Sequence, residues 1–186
     1  MMTLAEILKF AVIVYLAFLG VWFGTAQPKF DPKSKVRPML YILVSVSMIV
    51  GLISIVSALT RHVPVERSII TFVLSSFSAA IFKSSLRAIK SKNLGLAFSG
   101  IVPGEVVQHG PYRYIRHPLY TAYGLFWGTC AFFSGSVLAA LGACIVVIMY
   151  IAAARAEERH LMASDLGRSY EDYRRKTGLM IPRLFS

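Results

Sequence analysis

Two short stretches of this 186-residue chain concentrate the side chains able to do chemistry. The first is Gly110-Pro111-Tyr112-Arg113-Tyr114-Ile115-Arg116-His117-Pro118-Leu119-Tyr120, where two Arg, one His and three Tyr fall within the nine residues from Tyr112. The second begins with Glu157-Glu158-Arg159-His160-Leu161, continues through Leu166-Gly167, Tyr170 and Tyr173, and ends Ile181-Pro182-Arg183-Leu184-Phe185. Adjacent carboxylates directly after an apolar run are costly unless water or cations meet them. Taken singly, each stretch has a bland explanation: Tyr and Arg anchor any membrane interface, and a charged tail can simply be solvated. The pattern contains no nucleophile–base pair and no cluster with metal-ligand spacing. Cys130 and Cys144 sit inside apolar runs, which suits small apolar side chains rather than a metal site or disulfide framework.

The elements that must position these residues are membrane helices. Apolar residues make up 56% of the chain and charged ones 16%, against about a quarter charged in a soluble domain, and mean hydropathy is +0.62. Long uncharged runs alternate with short basic segments. Residues 1–186 read as a single membrane-embedded domain, with N-terminal spans in 1–82 and the chemistry-bearing part in 83–186. It is too short for a membrane domain plus a separate soluble catalytic one. The net charge of +11 does not indicate nucleic-acid binding, because the basic residues are interleaved with hydrophobic spans.

About five transmembrane helices are expected in an all-α integral membrane fold. The first covers Leu4 to Ala26; Gly24-Thr25-Ala26 resembles a signal-peptidase site, but the basic residues that follow favour a retained span with its N-terminus outside. Met39 to Thr60 is the plainest span, with Pro38 suited to its first turn. Ser68 to Phe82 is only 15 residues between Arg67 and Lys83; at 1.5 Å per residue it reaches about 22 Å, short of the roughly 30 Å hydrocarbon core. It either lengthens by recruiting Val63 to Val65 and snorkelling cations or is a shorter packed helix. From Pro118 to Ala154 there is no charge over 37 residues, and the central Ser134-Gly135-Ser136 predicts a helical hairpin of 118–134 and 136–154. Gly124 and Gly128 form a small-xxx-small pair suited to helix packing.

Basic residues are distributed unevenly about these spans. Segments 27–38, 83–117 and 155–186 carry 17 of the 20 Lys and Arg, leaving Lys9, Arg61 and Arg67 on the other side. By the positive-inside rule the three segments are cytoplasmic. Both chemistry-bearing stretches therefore share the cytoplasmic face, where loop and C-terminal tail are expected to form one site.

Together, Gly-x-Tyr-x-x-x-Arg-His-Pro-x-Tyr entering a hairpin and Glu-Glu-x-x-Leu…Gly-x-x-Tyr-x-x-Tyr…Ile-Pro resemble the isoprenylcysteine carboxyl methyltransferase family over residues 92–185. Phospholipid N-methyltransferases and bacterial thiol methyltransferases share the general pattern. The resemblance implies S-adenosyl-L-methionine as cofactor, surrounded by Tyr112, His117, Pro118, Leu119 and Tyr120. It also implies backbone contacts from Gly104, Glu105, Val106 and Val107, with Gly104 where the family often has His. Glu158 falls on the family's cofactor-binding carboxylate. The carboxyl methyltransferases carry an Arg four residues before that Glu; Ala154 stands there, and Arg155 one place later is the candidate orienter of an anionic substrate. The implied reaction is methylation of a lipophilic or prenylated carboxylate that enters from the bilayer. An ionised carboxylate needs no general base, so positioning and desolvation carry the catalysis. Phospholipid amine and small-thiol acceptors are the enzymatic alternatives, and a small membrane scaffold is the non-enzymatic one.

Overall fold

The structure, a computed structural model, describes residues 2–25, 38–90 and 106–183. Gly104 and Glu105 of the expected cofactor segment lie outside the described residues. Those described form six α-helices and one 3-10 turn: α1 (Leu4–Thr25), α2 (Pro38–Thr60), α3 (Val65–Lys90), the turn Gly110–Arg113, α4 (Pro118–Ser134), α5 (Val137–Met162) and α6 (Gly167–Lys176). Thr3 and Glu6 close a reciprocal cap at the start of α1: the Thr3 N–H donates to Glu6 Oε2 at 2.8 Å and the Glu6 N–H to Thr3 Oγ1 at 3.3 Å. Two of the amides left unpaired at a helix start are thereby satisfied.

Leu4–Thr25, Tyr41–Thr60, Val65–Ile89 and Val137–Met162 are long and apolar enough to cross a bilayer. They make this an all-helical integral membrane protein. The fifth expected span, α4, has 17 residues, or about 25 Å of helix, and packs against α2, α3 and α5. Its burial explains why shortness is tolerated: Tyr120, Ala122, Phe126, Thr129, Cys130 and Phe133 face protein. The outer surface carries Leu52, Phe72, Phe77, Val137, Leu141 and Ile148, each more than half exposed. In a bilayer those side chains meet lipid rather than water.

The 68–82 run extends in both directions, from Val65 to Lys90. Charge at Lys83 and Arg87 does not end the helix, because both lie on its exposed side while Phe82, Ser85, Leu86 and Ile89 continue the buried one. That buried side also holds Ser68, Thr71, Ser75 and Ser78. Small hydroxyl residues let α3 approach α4 closely; the Ser68, Ser75 and Ser78 O–H groups donate to carbonyls, while Thr71 Oγ1 is buried without a hydrogen-bond partner. Ser78 Oγ donates to Ala122 O at 2.7 Å across the helix pair, and Ser75 Oγ to Thr71 O at 2.7 Å.

The hairpin turns where the sequence predicts. Gly135 adopts φ 60°, ψ 18°, and its N–H reaches Ala131 O and Phe132 O, while Ser136 caps α5 by accepting from the Ala139 N–H. Only glycine enters that left-handed region without a steric penalty. Arg61 Nη1 donates to Gly135 O at 3.0 Å, tying the α2–α3 connection to the α4–α5 turn at one end of the bundle. At the opposite end, α6 folds back so that Gly178 pairs with Ile115 in an isolated parallel bridge. Of the two glycines expected to pack helices, Gly124 lies 3.4 Å from Val147 at its would-be Cβ, but Gly128 faces open space. Close approach in α5 falls instead to Gly142, whose added Cβ would sit 2.5 Å from Val50 Cγ2.

These glycines should separate experimentally. Gly135→Ala should cost about 1–2 kcal/mol for placing an L residue in the left-handed region. Gly128→Ala should match the parent or exceed it slightly, since a helix interior favours Ala over Gly by up to about 1 kcal/mol. Thermal unfolding in detergent gives the order. A Gly128→Ala loss as large as that of Gly135→Ala would mean that Gly128 is a helix contact after all.

Candidate functional site

The site is assembled at the end of the bundle where α3, α4, α5 and α6 meet the 110–117 segment. Pro118 opens α4 and supplies no N–H where none is needed, so His117, Tyr120 and Tyr123 follow at helical spacing along one face. Their rings form a ladder completed by α5: His117 stacks on Tyr120 at 5.5 Å and 3°, Tyr120 on Tyr150 at 5.2 Å, and Tyr150 on Tyr123 at 5.5 Å. Leu119 points elsewhere, into the core around Phe82 and Phe126. Val106 and Val107 are half-buried, upstream of the 3-10 turn.

Helix α5 brings its two carboxylates to this ladder. Glu157 Oε1 accepts from Tyr120 Oη at 2.6 Å, and its Oε2 lies 3.5 Å from His117 Nδ1. Glu158 points to the other side of His117, with Oε1 at 3.6 Å from Nε2. That contact is longer than a hydrogen bond, and Nε2 is buried without a hydrogen-bond partner. The principal partner of Glu158 is Arg116, whose Nε donates to Oε1 at 2.5 Å. Both side chains of this pair are only 9% exposed. Tyr170 Oη adds a bond to Oε1 at 3.0 Å, and Arg174 Nε approaches Oε2 at 4.0 Å. A buried ion pair survives desolvation only when further donors meet the remaining lone pairs, and α6 provides them.

Arg116 is also the joint between loop and tail. Its Nη1 donates to the carbonyls of Thr177 and Arg174. Its backbone N–H donates to Gly178 O at 2.9 Å, the His117 N–H to Leu179 O at 3.0 Å, and the Gly178 N–H to Tyr114 O at 3.1 Å. Thr121 Oγ1 donates to Met180 O at 2.7 Å, and Tyr173 Oη to Tyr112 O at 2.7 Å. Burial pushes the phenols of Tyr112, Tyr170 and Tyr173 upward. Tyr170 and Tyr173 therefore stay protonated at neutral pH and act as donors. A Cβ on Gly178 would fall 1.7 Å from Ile181 O, which makes the close crossing of the tail specific to glycine.

The structure thus brings together Tyr112, His117, Pro118, Tyr120 and Glu158 among the residues marked from sequence. It does not bring Arg155 to them. Ala154 is fully buried on the face that leads to Glu158, whereas Arg155, turned by about 100°, is exposed. Sequence reading passed over Arg116, Glu157 and Tyr170 as site residues, although all three stand in the quoted motifs. The spacing of Tyr170 and Tyr173 carried the signal: placed three apart, they share the buried side of a short amphipathic helix.

Stability should report this arrangement. Glu158→Ala strands the buried Arg116 charge and should cost about 3–5 kcal/mol. Tyr170→Phe removes one bond to a charged group, about 1.5–3 kcal/mol. Arg175→Gln, at a side chain 73% exposed, should change little. If thermal unfolding found Glu158→Ala as mild as Arg175→Gln, the pair would be solvated rather than buried.

The chain is 40% identical over 76 residues to methanethiol S-methyltransferase 2 of Bradyrhizobium diazoefficiens, covering 40% of this chain and 28% of that protein. It is 37% identical over 75 residues to methanethiol S-methyltransferase of Mycobacterium tuberculosis, covering 40% and 29%. The chain thus spans under a third of the length of either. Nickel-cobalt-cadmium resistance protein NccN of Alcaligenes xylosoxydans xylosoxydans is 31% identical over 148 residues, with 69% of this chain and 68% of that protein covered. The family model for phospholipid methyltransferases matches residues 67–168, a region that contains α4, α5, the Arg116–Tyr120 motif and both carboxylates. With more than half its length matched, the chain belongs to the phospholipid methyltransferase family.

Proposed function

We propose that this membrane protein transfers methyl groups from S-adenosylmethionine to a thiol acceptor, at the cytoplasmic end of its helix bundle. The observation that carries the methyltransferase reading is the junction of the Arg116–Tyr120 motif with Glu157 and Glu158 through three direct contacts. The residues present fit the cofactor. His117 Nε2 is a buried orphan suited to a polar ligand. Two carboxylates, Glu157 and Glu158, suit an ammonium group and hydroxyls. Tyr112, His117, Pro118, Tyr120 and Glu158 would form the holding set, with Leu119 turned into the core behind it and Val106 and Val107 upstream of the turn. When bound, the cofactor supplies a methyl group on a positively charged sulfur and departs as a neutral thioether. The chain's own task is orientation and exclusion of water, and a thiol acceptor must also give up its proton, since the thiolate is the nucleophile. Glu157 and His117, 3.5 Å apart, are the proton-accepting groups at the site.

The acceptor assignment turns on Arg155. Carboxyl methylation of a lipophilic or prenylated acid, favoured by the sequence resemblance, calls for a cation to orient the substrate. Arg155 is exposed and Ala154 occupies the buried position. A thiol needs no such cation, and two relatives carry the name methanethiol S-methyltransferase. The carboxyl reading stands second and requires Arg155 to reach around α5. Cytoplasmic sidedness is supported by the asymmetry of 17 against 3 basic residues.

Purified protein incubated with methyl-labelled cofactor and a panel of small thiols, prenylcysteine acids and phospholipids should yield a volatile thioether. A base-labile methyl ester as the sole product, lost in Arg155→Ala, would transfer the assignment to the carboxyl reading; a stable methylamine would point to phospholipid headgroups. His117→Ala should weaken cofactor binding roughly ten- to a hundred-fold, the equivalent of one hydrogen bond to a charged group. Unchanged calorimetric affinity would remove the site. For sidedness, cysteines replacing exposed Asp172 and His62 in a Cys130→Ala/Cys144→Ala background should label from the inner and outer face respectively. The opposite pattern inverts the topology.

A further inference from the structure

The carboxylate pair is not equally free. Glu157 meets Tyr120 and His117 from the ladder side, and its side chain is 27% exposed. Glu158 is 9% exposed, with Oε1 taken by Arg116 and Tyr170 and Oε2 approached by Arg174. Tyr170 and Arg174 both belong to α6. Arg116 belongs to the loop, yet its guanidinium also holds the Arg174 and Thr177 carbonyls at the end of α6. The side chain that fixes Glu158 is therefore the one that fixes the tail.

We propose that Arg116 is a positioning residue that couples docking of the 167–180 tail to the placement of Glu157 and Glu158, so that cofactor binding and tail docking reinforce each other. This rests on the cofactor reading above. Geometry gives the reason. Glu157 and Glu158 are neighbours on one helix turn, and His117 lies between them at 3.5 and 3.6 Å. Releasing the tail removes Tyr170 and Arg174 from Glu158 and the two carbonyls from Arg116. Arg116 and Glu158 would then re-solvate, and the imidazole flanked by both carboxylates would lose its fixed neighbour on one side. A ligand that needs His117 and Glu157 in their present places binds the docked form better, and a ligand that prefers one form shifts the population toward it. The linkage is reciprocal.

Arginine is suited to this task in a way lysine is not. Its planar fork directs Nε to the carboxylate while Nη1 serves carbonyls, three contacts from one rigid group. A lysine ammonium at the same position keeps the charge opposite Glu158 but cannot span all three partners.

The test uses the full chain in detergent micelles, with S-adenosylmethionine as the probe and hydrogen–deuterium exchange as the readout. The reporters are the amides of 116, 117 and 178, whose bonds join loop and tail. In the parent, saturating cofactor should slow exchange of these amides at least several-fold. Arg116→Gln should accelerate their exchange at least tenfold without cofactor, weaken cofactor binding at least tenfold, and abolish the additional protection that cofactor confers. Arg116→Lys should fall between parent and Arg116→Gln on both measurements, with exchange in α3 and α4 unchanged as the control for intact helices. A merely structural Arg116 would speed exchange but leave affinity untouched, and that outcome overturns the coupling. Unchanged exchange in Arg116→Gln overturns the latch itself. If the parent binds no cofactor, the functional reading falls; coupling falls with it, and the exchange data still decide whether Arg116 holds the tail.

Discussion

The functional end of this protein is organised around an ion pair between Arg116 and Glu158, each only 9% exposed. Desolvating two charges is expensive, and their mutual attraction repays it only with good geometry and further hydrogen bonds. The chain supplies those bonds from a distant segment: Tyr170 bonds to Glu158, and the Thr177 and Arg174 carbonyls bond to Arg116. The tail is therefore more than a solvated extension of α5. Its short helix buries Tyr170 and Tyr173, and the strand-like pairing of Gly178 with Ile115 fixes the height at which it crosses.

The bundle beneath serves this arrangement with two different kinds of packing. On the α3 side, Ser and Thr replace large side chains and let α4 come close, with Ser78 bonding across to the Ala122 carbonyl. On the α5 side, aromatic rings fill the gap, and the ladder from His117 to Tyr150 runs from the carboxylates into the bundle. Helix α4 lies between the two and can be short because protein, not lipid, covers so much of it.

The hydrogen bonds at this end of the bundle are largely internal. The wall is made of donors and acceptors that already satisfy one another, leaving His117 Nε2 as the buried nitrogen at the site with a vacancy for a hydrogen bond. In the proposed reaction such a wall would serve positioning, with Glu157 and His117 left to take the thiol proton.

Sequence alone determined the helical membrane class, the hairpin broken at Gly135 and the shared end of the two motifs; the resemblance they carry marked Tyr112, His117, Tyr120 and Glu158, which the fold brings together. These are properties of local pattern: runs without charge, a turn signal, basic asymmetry and motif spacing. Sequence left the 68–82 run unresolved, because helix α3 persists past Lys83 and Arg87 by turning their side chains outward, and hydropathy does not see direction. It paired Gly124 with Gly128, although only tertiary packing shows that Gly128 faces open space and Gly142 meets Val50. Arg155 was marked on proximity in sequence, and one helical step of about 100° carries it to the exposed side. Arg116 passed unmarked for the converse reason. Its partners lie 42 to 61 residues away, and only the folded-back tail puts a buried carboxylate and two free carbonyls within reach of one guanidinium.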